Sequence, residues 1–277
     1  MKILITGSTG FVGSNLVEYY TARGNDVRGF QRTENLAEVL DQYEPDAIIN
    51  CAAEIYRAEE MFFPNIVLTQ TCLEYVKRAK QWVRMVHVGS SSEYGPTNHP
   101  TSETTLLKPV DFYQGTKGAA TLMCQGWARQ FDLPIWIARP YSVYGPGERP
   151  HRLFPRLYRA FTHRTPMTLY QGYHDFIYID DFVRGIDGLL TQWDCEPGEV
   201  VNFGSGRQIS NFEVLDTWTK ITHIDAPVSR VTEFSKAFEN NVWVCDTTRA
   251  REKYGFEVGY DLYSGIRKFL LKAKYDA

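Results

Sequence analysis

Through the first half of the chain, short apolar runs alternate with stretches whose apolar residues recur at helical spacing. The strand candidates are the apolar run Ile3-Leu4-Ile5, the segment Asp26–Phe30, Pro45–Ala53 as a strand and its loop, Met85–Val88 and Pro134–Ala138. Continuous runs of this kind fit parallel strands buried on both faces. Between them, Val12–Arg23, Leu36–Tyr43, Ile66–Lys80 and Phe112–Phe131 read as helices. In the third of these, Leu68, Cys72, Val76 and Ala79 fall close to one face. Gly24-Asn25 stops the first helix. After Pro150 the alternation loosens. His174–Asp181 reads as a short strand capped by acids that start a helix, and Glu199–Phe203 as a strand ending in Gly204-Ser205-Gly206. Asn211–Lys220 and Tyr263–Lys272 read as helices. The pattern predicts an α/β fold: a doubly wound parallel Rossmann sheet over residues 1–170, to which short segments near 175–205 return. A smaller mixed α/β lobe over 171–277 follows, with a cleft between the two.

The first strand runs into Gly7-Ser8-Thr9-Gly10-Phe11-Val12-Gly13. In a strand–turn–helix corner each glycine has a separate use. Gly7 permits the tight turn, Gly10 lets a pyrophosphate approach the backbone, and Gly13 lets the helix pack closely on the strand. The helix N-terminus offers unpaired N–H groups and positive dipole to phosphate. A dinucleotide site is expected here. At the end of the second strand, where a carboxylate would meet the ribose 2′-OH of NAD, stand Gln31 and Arg32. Arg32 suits a 2′-phosphate, so NADP(H) is expected in preference to NAD(H); the alternative is that Arg32 stacks on adenine or faces solvent.

Composition narrows the field. The 277 residues are 43% hydrophobic with a formal net charge of −3, enough for a sizeable core and contrary to nucleic-acid binding. No apolar stretch approaches the roughly 20 residues of a membrane-spanning helix. The chain opens directly on a core strand, which leaves no room for a signal peptide, so a cytoplasmic protein is expected. Five scattered cysteines without a C-x-x-C pair read as reduced thiols, and six dispersed histidines predict no metal site.

Tyr113 and Lys117 are four apart on a predicted helix and so share a face. A lysine ammonium beside a phenol lowers its pKa from about 10, making tyrosine a usable acid or base for a carbonyl/hydroxyl pair. Ser90 or Ser91, at the end of the Met85–Val88 strand, is placed to hold the same oxygen. Of 17 tyrosines only Tyr113 has a lysine at +4, yet chance supplies such a pair readily on a surface. Order along the chain changes the weight. A nucleotide-binding turn, a serine-rich strand end and then this helix form the sequence that builds one site.

With these motifs the chain resembles the extended short-chain dehydrogenase/reductase family of nucleotide-sugar epimerases, dehydratases and reductases, over nearly its whole length. The glycine turn, including Thr9, Phe11 and Val12, is similar to the family's cofactor loop, and Ala52-Ala53 to the loop after its next inner strand. Ser90–Gly95 resembles its serine/threonine motif and Tyr113-x-x-x-Lys117 its catalytic pair. Arg139-Pro140 with Val143–Pro146, and Asp175–Asp181, are similar to its substrate-side signatures. The resemblance implies Tyr113 as acid/base, Lys117 lowering its pKa and holding the nicotinamide ribose, and Ser91 on the reacting oxygen. The serine loop is one residue short, so Ser90 is the other candidate. Asn65 and Pro140 would line the cofactor; Ser142, Arg152, His174 and Arg207 would face the nucleotide diphosphate or sugar, the later lobe being the substrate-binding one. His174 stands where the family often has a diphosphate-gripping arginine. The resemblance also implies a homodimer, joined through the Ile66–Lys80 and Phe112–Phe131 helices in a four-helix bundle.

Three reactions share this scaffold. A 4,6-dehydratase needs an acid and a base after the serine or threonine, commonly Asp-Glu; here Ser92 precedes Glu93, a base without a partner acid or else a capping residue. The spelling of 89–95 resembles that of GDP-4-keto-6-deoxy-mannose reductases. The expectation is therefore NADPH-dependent reduction of the C4 ketone of a nucleotide-linked 4-keto-6-deoxyhexose, with 4-epimerase or 4,6-dehydratase as alternatives. A catalytically silent cofactor-sensing module is the alternative of another class.

Overall fold

The computed structural model describes residues 1–192, 194–234 and 242–273 of the 277. In chain order the first elements are β1 (Lys2–Thr6), α1 (Phe11–Thr21), β2 (Asp26–Gly29), α2 (Leu36–Tyr43) and β3 (Ala47–Asn50). There follow α3 (Ala58–Phe62), a π-helical turn (Phe63–Val67), α4 (Leu68–Arg78), β4 (Arg84–Val88), a 3₁₀ turn (Ser91–Tyr94) and α5 (Phe112–Phe131). Next come β5 (Ile135–Pro140), β6 (Ser142–Tyr144), α6 (Leu153–Thr162), β7 (Met167–Gln171), β8 (Tyr173–His174), β9 (Phe176–Tyr178) and α7 (Ile179–Asp187). The last are β10 (Val200–Phe203), β11 (Ile209–Ser210), α8 (Asn211–Thr222), β12 (Val228–Phe234) and α9 (Leu262–Lys272).

Six strands form one parallel sheet in the order β10-β5-β4-β3-β1-β2. The chain steps outward from β1 to β2, then back across β1 to β3. The loops after β1 and β3 therefore leave the sheet's C-terminal edge in opposite directions, opening a crevice where ligands sit in such folds. β3 is buried at every position because helices cover both faces. On one face Leu4, Ile48, Met85, Ile135 and Ile137 meet Leu68, Cys72 and Val76 of α4 and Cys124 and Ala128 of α5. Each such fully buried aliphatic side chain contributes about 1.5–3 kcal/mol. The face predicted for Leu68, Cys72 and Val76 is thus the inward one; Ala79 packs at its margin.

The described chain forms two compact units. The first comprises Met1–Gly95, Glu103–Pro140 and Val183–Phe203; the second Pro96–Ser102, Tyr141–Phe182 and the described residues from Gly204 onward. The division thus falls at Pro140, well before residue 170, because β6 leaves the large sheet and pairs with β9 instead. The core of the second unit is aromatic: Tyr144 stacks on Phe154 at 4.1 Å, and Phe154 and Trp218 both meet Phe269. No described helix is long and apolar enough to cross a membrane.

Caps fix the helix ends. Asp111 accepts the Gln114 N–H at the start of α5, and Asp132 closes it in a left-handed conformation. α6 and α7 bury apolar stripes at helical spacing, and Pro155 is tolerated in α6 because it lies in the first turn.

Candidate active site

β1 delivers the chain to Gly7, whose φ of +65° suits glycine. A Cβ there would press to 2.9 Å from the Ala52 backbone, and a Cβ on Gly13 would lie 2.1 Å from the Gly7 carbonyl oxygen. Strand, turn and helix are therefore in direct backbone contact. α1 starts at Gly10 without a side-chain cap, which leaves its first N–H groups to a ligand. Thr9 and Gly10 are exposed and Phe11 and Val12 half-buried around this end. The cradle fits a dinucleotide pyrophosphate.

Beyond β2 the expected lack of a carboxylate is corrected. Glu34 folds back so that one carboxylate oxygen accepts the Gln31 N–H at 2.8 Å while the other pairs with Arg28. Separation along the chain hid this, because Glu34 lies past the strand end in a turn. Arg32 is exposed.

The loop after β3 is held by two side chains. Glu54 accepts the N–H groups of Ile55, Tyr56 and Arg57 on one oxygen and Arg57 on the other. Burial raises its carboxyl, but those N–H groups and Arg57 outweigh burial and hold it at about 2. The π turn brings Asn65 inward. Its amide accepts from Glu54 N at 2.9 Å and donates to Glu54 O and to Thr116 on α5. Asn65 is 1% exposed, and its side chain ties the loop after β3 to the helix bearing Lys117. Thr6, Asn50 and His87, adjacent in register on β1, β3 and β4, form a buried polar row. Asn50 accepts from Thr6 and donates toward Thr69 and His87 Nδ1. Burial, then the charges of Lys117 and Arg139, drive the His87 pKa well down, so it is neutral. The signal available in the sequence was a polar residue at the last inward position of each apolar strand.

β4 ends at Val88, Gly89 follows, and Ser90 caps the 3₁₀ turn. Ser90 Oγ accepts the Ser92 N–H at 3.2 Å, while Glu93 accepts the Ser90 N–H at 2.7 Å. Ser90 is half-buried and Ser91 only 4% exposed, so Ser90 is the accessible hydroxyl. Glu93 is fully buried; its second oxygen takes both Nε and Nη2 of Arg139, at 3.0 and 2.7 Å. Both oxygens of Glu93 are committed to protein donors, which is the capping arrangement that stood beside the base role as its alternative. Arg139 reaches Tyr94, whose hydroxyl donates to Asn202 on β10, and Pro140 closes β5 opposite Phe203. Tyr113 is half-buried in the first turn of α5. Lys117, one turn on, is 3% exposed and donates to the Val88 carbonyl at 2.5 Å. Burial lowers its pKa against the opposing pull of Glu93. The glycine turn, Ala52-Ala53, Ser90, Tyr113, Lys117 and Pro140 thus all belong to the first unit.

The second unit holds Ser142, Arg152, His174 and Arg207. Ser142 Oγ lies 3.3 Å from His174 Nδ1. Burial first, then Arg152, brings His174 down to about 4, so it is neutral at pH 7 and does not replace the charge of an arginine. Arg152, its side chain 50% exposed, pairs with buried Glu148, and Arg207 is exposed. Asp175 is buried and accepts from Ser205 N and Oγ, Gly206 N and Cys245 N, which fixes the turn before Arg207. Among the described residues no three His, Cys, Asp or Glu side chains gather as a metal set.

Comparison with known proteins agrees with this arrangement. A dTDP-glucose 4,6-dehydratase of Salmonella typhimurium is 24% identical over 316 residues, covering 94% of this chain and 86% of the relative. YtcB of Bacillus subtilis, described as an uncharacterized UDP-glucose epimerase, is 26% identical, covering 96% of both chains. The crystal structure of a UDP-glucuronic acid 4-epimerase from Bacillus cereus, in complex with UDP-glucuronic acid and NAD, superposes with a TM-score of 0.85 at 25% identity, over 98% of each chain. A model of the NAD dependent epimerase/dehydratase family matches residues 3–204, nearly three quarters of the sequence from β1 through β10. With its glycine cradle, serine turn and Tyr113/Lys117 helix on a parallel Rossmann sheet, the chain belongs to the NAD-dependent epimerase/dehydratase family, among the extended short-chain dehydrogenases/reductases.

Proposed function

We propose that this enzyme carries out redox chemistry at C4 of a nucleotide-linked hexose, as a 4-epimerase that keeps its dinucleotide through the cycle. The carrying observation is the fate of Glu93. Dehydration across C5 and C6 requires a base and an acid beside the serine, and the carboxylate at 93 is buried and bonded to Ser90 N and Arg139. Chemistry is thereby confined to C4. A family whose members depend on NAD, with a Bacillus cereus 4-epimerase of the same fold bound to UDP-glucuronic acid and NAD, supports the choice.

The residues divide the work. The glycine turn and the N–H groups of α1 hold the pyrophosphate, with Ala52, Ala53 and Pro140 lining the cofactor. Bound nicotinamide supplies a hydride acceptor and donor. Tyr113 takes the proton of the C4 hydroxyl as C4 is oxidised, and returns it once the sugar has turned its other face. Ser90 donates to the C4 oxygen, and Lys117 balances the charge on Tyr113. Each hydrogen removed is restored, so no outside oxidant is consumed. In the second unit Arg152 and Arg207 are the cations for the diphosphate in place of the neutral His174, beside which Ser142 lies. The test is incubation with UDP-glucose and, separately, UDP-glucuronic acid. C4 epimers seen by NMR without net absorbance change at 340 nm are expected, and Tyr113→Phe should lower kcat by roughly 10²–10⁴. Turnover within a few-fold of the parent in that variant sinks the mechanism.

A second reading, NADPH-dependent reduction of a 4-keto-6-deoxyhexose, is favoured by exposed Arg32 beyond β2 and by the spelling of 89–95. Loss of absorbance at 340 nm with NADPH or NADH and 4-keto-6-deoxy sugars linked to GDP, dTDP, UDP or CDP would select it.

We also infer a homodimer. Phe62 and Phe63 are each 58% exposed, and Leu122, on the outer side of α5, is 59% exposed. On α5, a Cβ on Gly115 or Gly126 would meet nothing within 4 Å, so that side is smooth enough for a second helix pair. A second copy packing α4 and α5 against its own would form a four-helix bundle and cover this surface.

A further inference from the structure

From Arg149 to Arg164 the chain carries five arginines, at 149, 152, 156, 159 and 164, and no aspartate or glutamate, although its net charge is −3. This stretch contains α6, whose inward face is Phe154, Leu157, Ala160 and Phe161, all buried. The other face starts at Arg152, the N-cap residue, and continues at Arg156 and Arg159. Positions four and seven apart share one stripe of a helix, and at 1.5 Å per residue they lie about 6 and 10 Å farther along its axis. Like charges at that spacing cost a helix stability, so packing of α6 does not account for them. Arg156 donates to the Thr168 carbonyl at 2.9 Å and Arg159 to the Pro150 carbonyl at 2.6 Å. Both acceptors are neutral, and neither guanidinium pairs with a carboxylate among the described residues. The two charges are thus held in place without being cancelled. Arg152 gives only its Nε to buried Glu148, at 3.2 Å, which leaves both Nη groups open among the described residues.

We infer that the arginine stripe of α6 is an approach surface for the substrate's diphosphate: Arg156 and Arg159 draw the anion in along the helix toward Arg152. The partner is fixed by charge. Each phosphate of a nucleotide sugar carries a negative charge, and a chain that is negative overall repels it except where a local positive field opens a path. The reach of that field is the Debye length, about 30 Å at 10 mM ionic strength and about 3 Å at 1 M. At low salt all three arginines act on an arriving phosphate, whereas at high salt only a cation in contact does. Arg156 and Arg159 therefore contribute at a distance, without touching the bound substrate. The inference rests on Arg152 meeting the diphosphate, as proposed above.

The test is calorimetric titration of the full chain with glucose linked to UDP, GDP, dTDP or CDP, at low salt (~10 mM KCl) and high salt (~1 M). Arg156→Gln/Arg159→Gln should weaken binding roughly threefold to tenfold at low salt and by less than about twofold at high salt. Arg156→Lys/Arg159→Lys keeps both charges and should follow the parent at both salts. Arg23→Gln/Lys80→Gln removes two charges from exposed positions just past α1 and α4, and should leave Kd unchanged. Arginines that serve only through their bonds to the Thr168 and Pro150 carbonyls predict instead equal losses at low and high salt. That result overturns the inference, as does a loss in Arg23→Gln/Lys80→Gln matching that of the stripe. An unchanged Kd in Arg156→Gln/Arg159→Gln also overturns it and assigns the stripe to solvent or to a macromolecular polyanion. The single variants Arg156→Gln and Arg159→Gln carry the same comparison if the double variant does not fold. Arg152→Gln with parental affinity, or a parent that binds none of the four sugars, overturns the diphosphate assignment and the stripe together. Binding with the expected salt dependence but without C4 epimers overturns the epimerase reading and leaves the stripe standing.

Discussion

Glu54 illustrates how one side chain carries both local structure and pH dependence. Its carboxyl lies at about 2, against an ordinary 4.5, because the charged form collects three backbone N–H groups and Arg57. A carboxylate lowered on folding contributes stability that is complete above its unfolded pKa. That stability drains away as pH falls from about 4.5 to about 2. The shift corresponds to roughly 3 kcal/mol. Glu54→Gln should therefore lower the urea midpoint at pH 7 but flatten the acid side of the stability profile. Parallel losses in parent and variant between pH 4.5 and 2 would refute this assignment. Asn65, by contrast, has both ends of its amide paired inside the protein, and its isosteric partner at this site, Asp, would lose the donation to Thr116. Asn65→Asp should loosen the link between the loop after β3 and α5, seen as a kcat loss larger than the change in nucleotide-sugar KM.

At the scale of elements, the corner from β1 to α1 tolerates least. A Cβ at position 13 would overlap the Gly7 carbonyl at 2.1 Å; that oxygen is backbone and a Cβ is fixed by its own backbone, so no rotamer relieves the clash. Gly13→Ala should separate α1 from the turn, with a loss of several kcal/mol in stability and of dinucleotide binding together. Calorimetric titration with NAD and a thermal melt check both. Wild-type affinity in a folded Gly13→Ala would mean that the helix end is not the pyrophosphate seat. α5 was read from sequence over its full observed length, Phe112–Phe131; in the structure Asp111 caps its start and Asp132 closes it. α3 and the π turn escaped. Their sequence, Ala58–Val67, places Glu59, Glu60, Phe62 and Phe63 on exposed or half-exposed positions and inserts Pro64, so its periodicity does not announce a helix.

For the whole molecule, the proposal is a pair of chains joined through α4 and α5. Leu122→Arg places a charge on the smooth side of α5, away from the sheet face that carries Lys117, Thr121 and Cys124. It should halve the mass measured by light scattering while leaving the thermal transition of the isolated chain within a few degrees. An unchanged mass in that variant, or a parent that is already a monomer at micromolar concentration, removes the four-helix bundle. The division of labour between units also belongs to this scale. Strands β6 to β9 leave the large sheet and β10 comes back to it, and with Pro96–Ser102 and the described residues from Gly204 onward the chain enters each unit three times.

The sequence by itself determined what short-range geometry controls. Apolar runs alternating with helical spacing specified a parallel sheet, three glycines specified the phosphate turn, and a spacing of four put Tyr113 and Lys117 on one helix face. Only the tertiary structure decided which charges meet. Glu93 finds Arg139 46 residues away, Asn65 finds Thr116 51 residues away, and Glu34 turns back on Arg28 beyond the strand end. A carboxylate's chemistry depends on its desolvation and its partners, and both are set by segments that become neighbours only when the sheet assembles. The fold was therefore legible from local pattern. Whether position 93 was a base or a counter-ion was not.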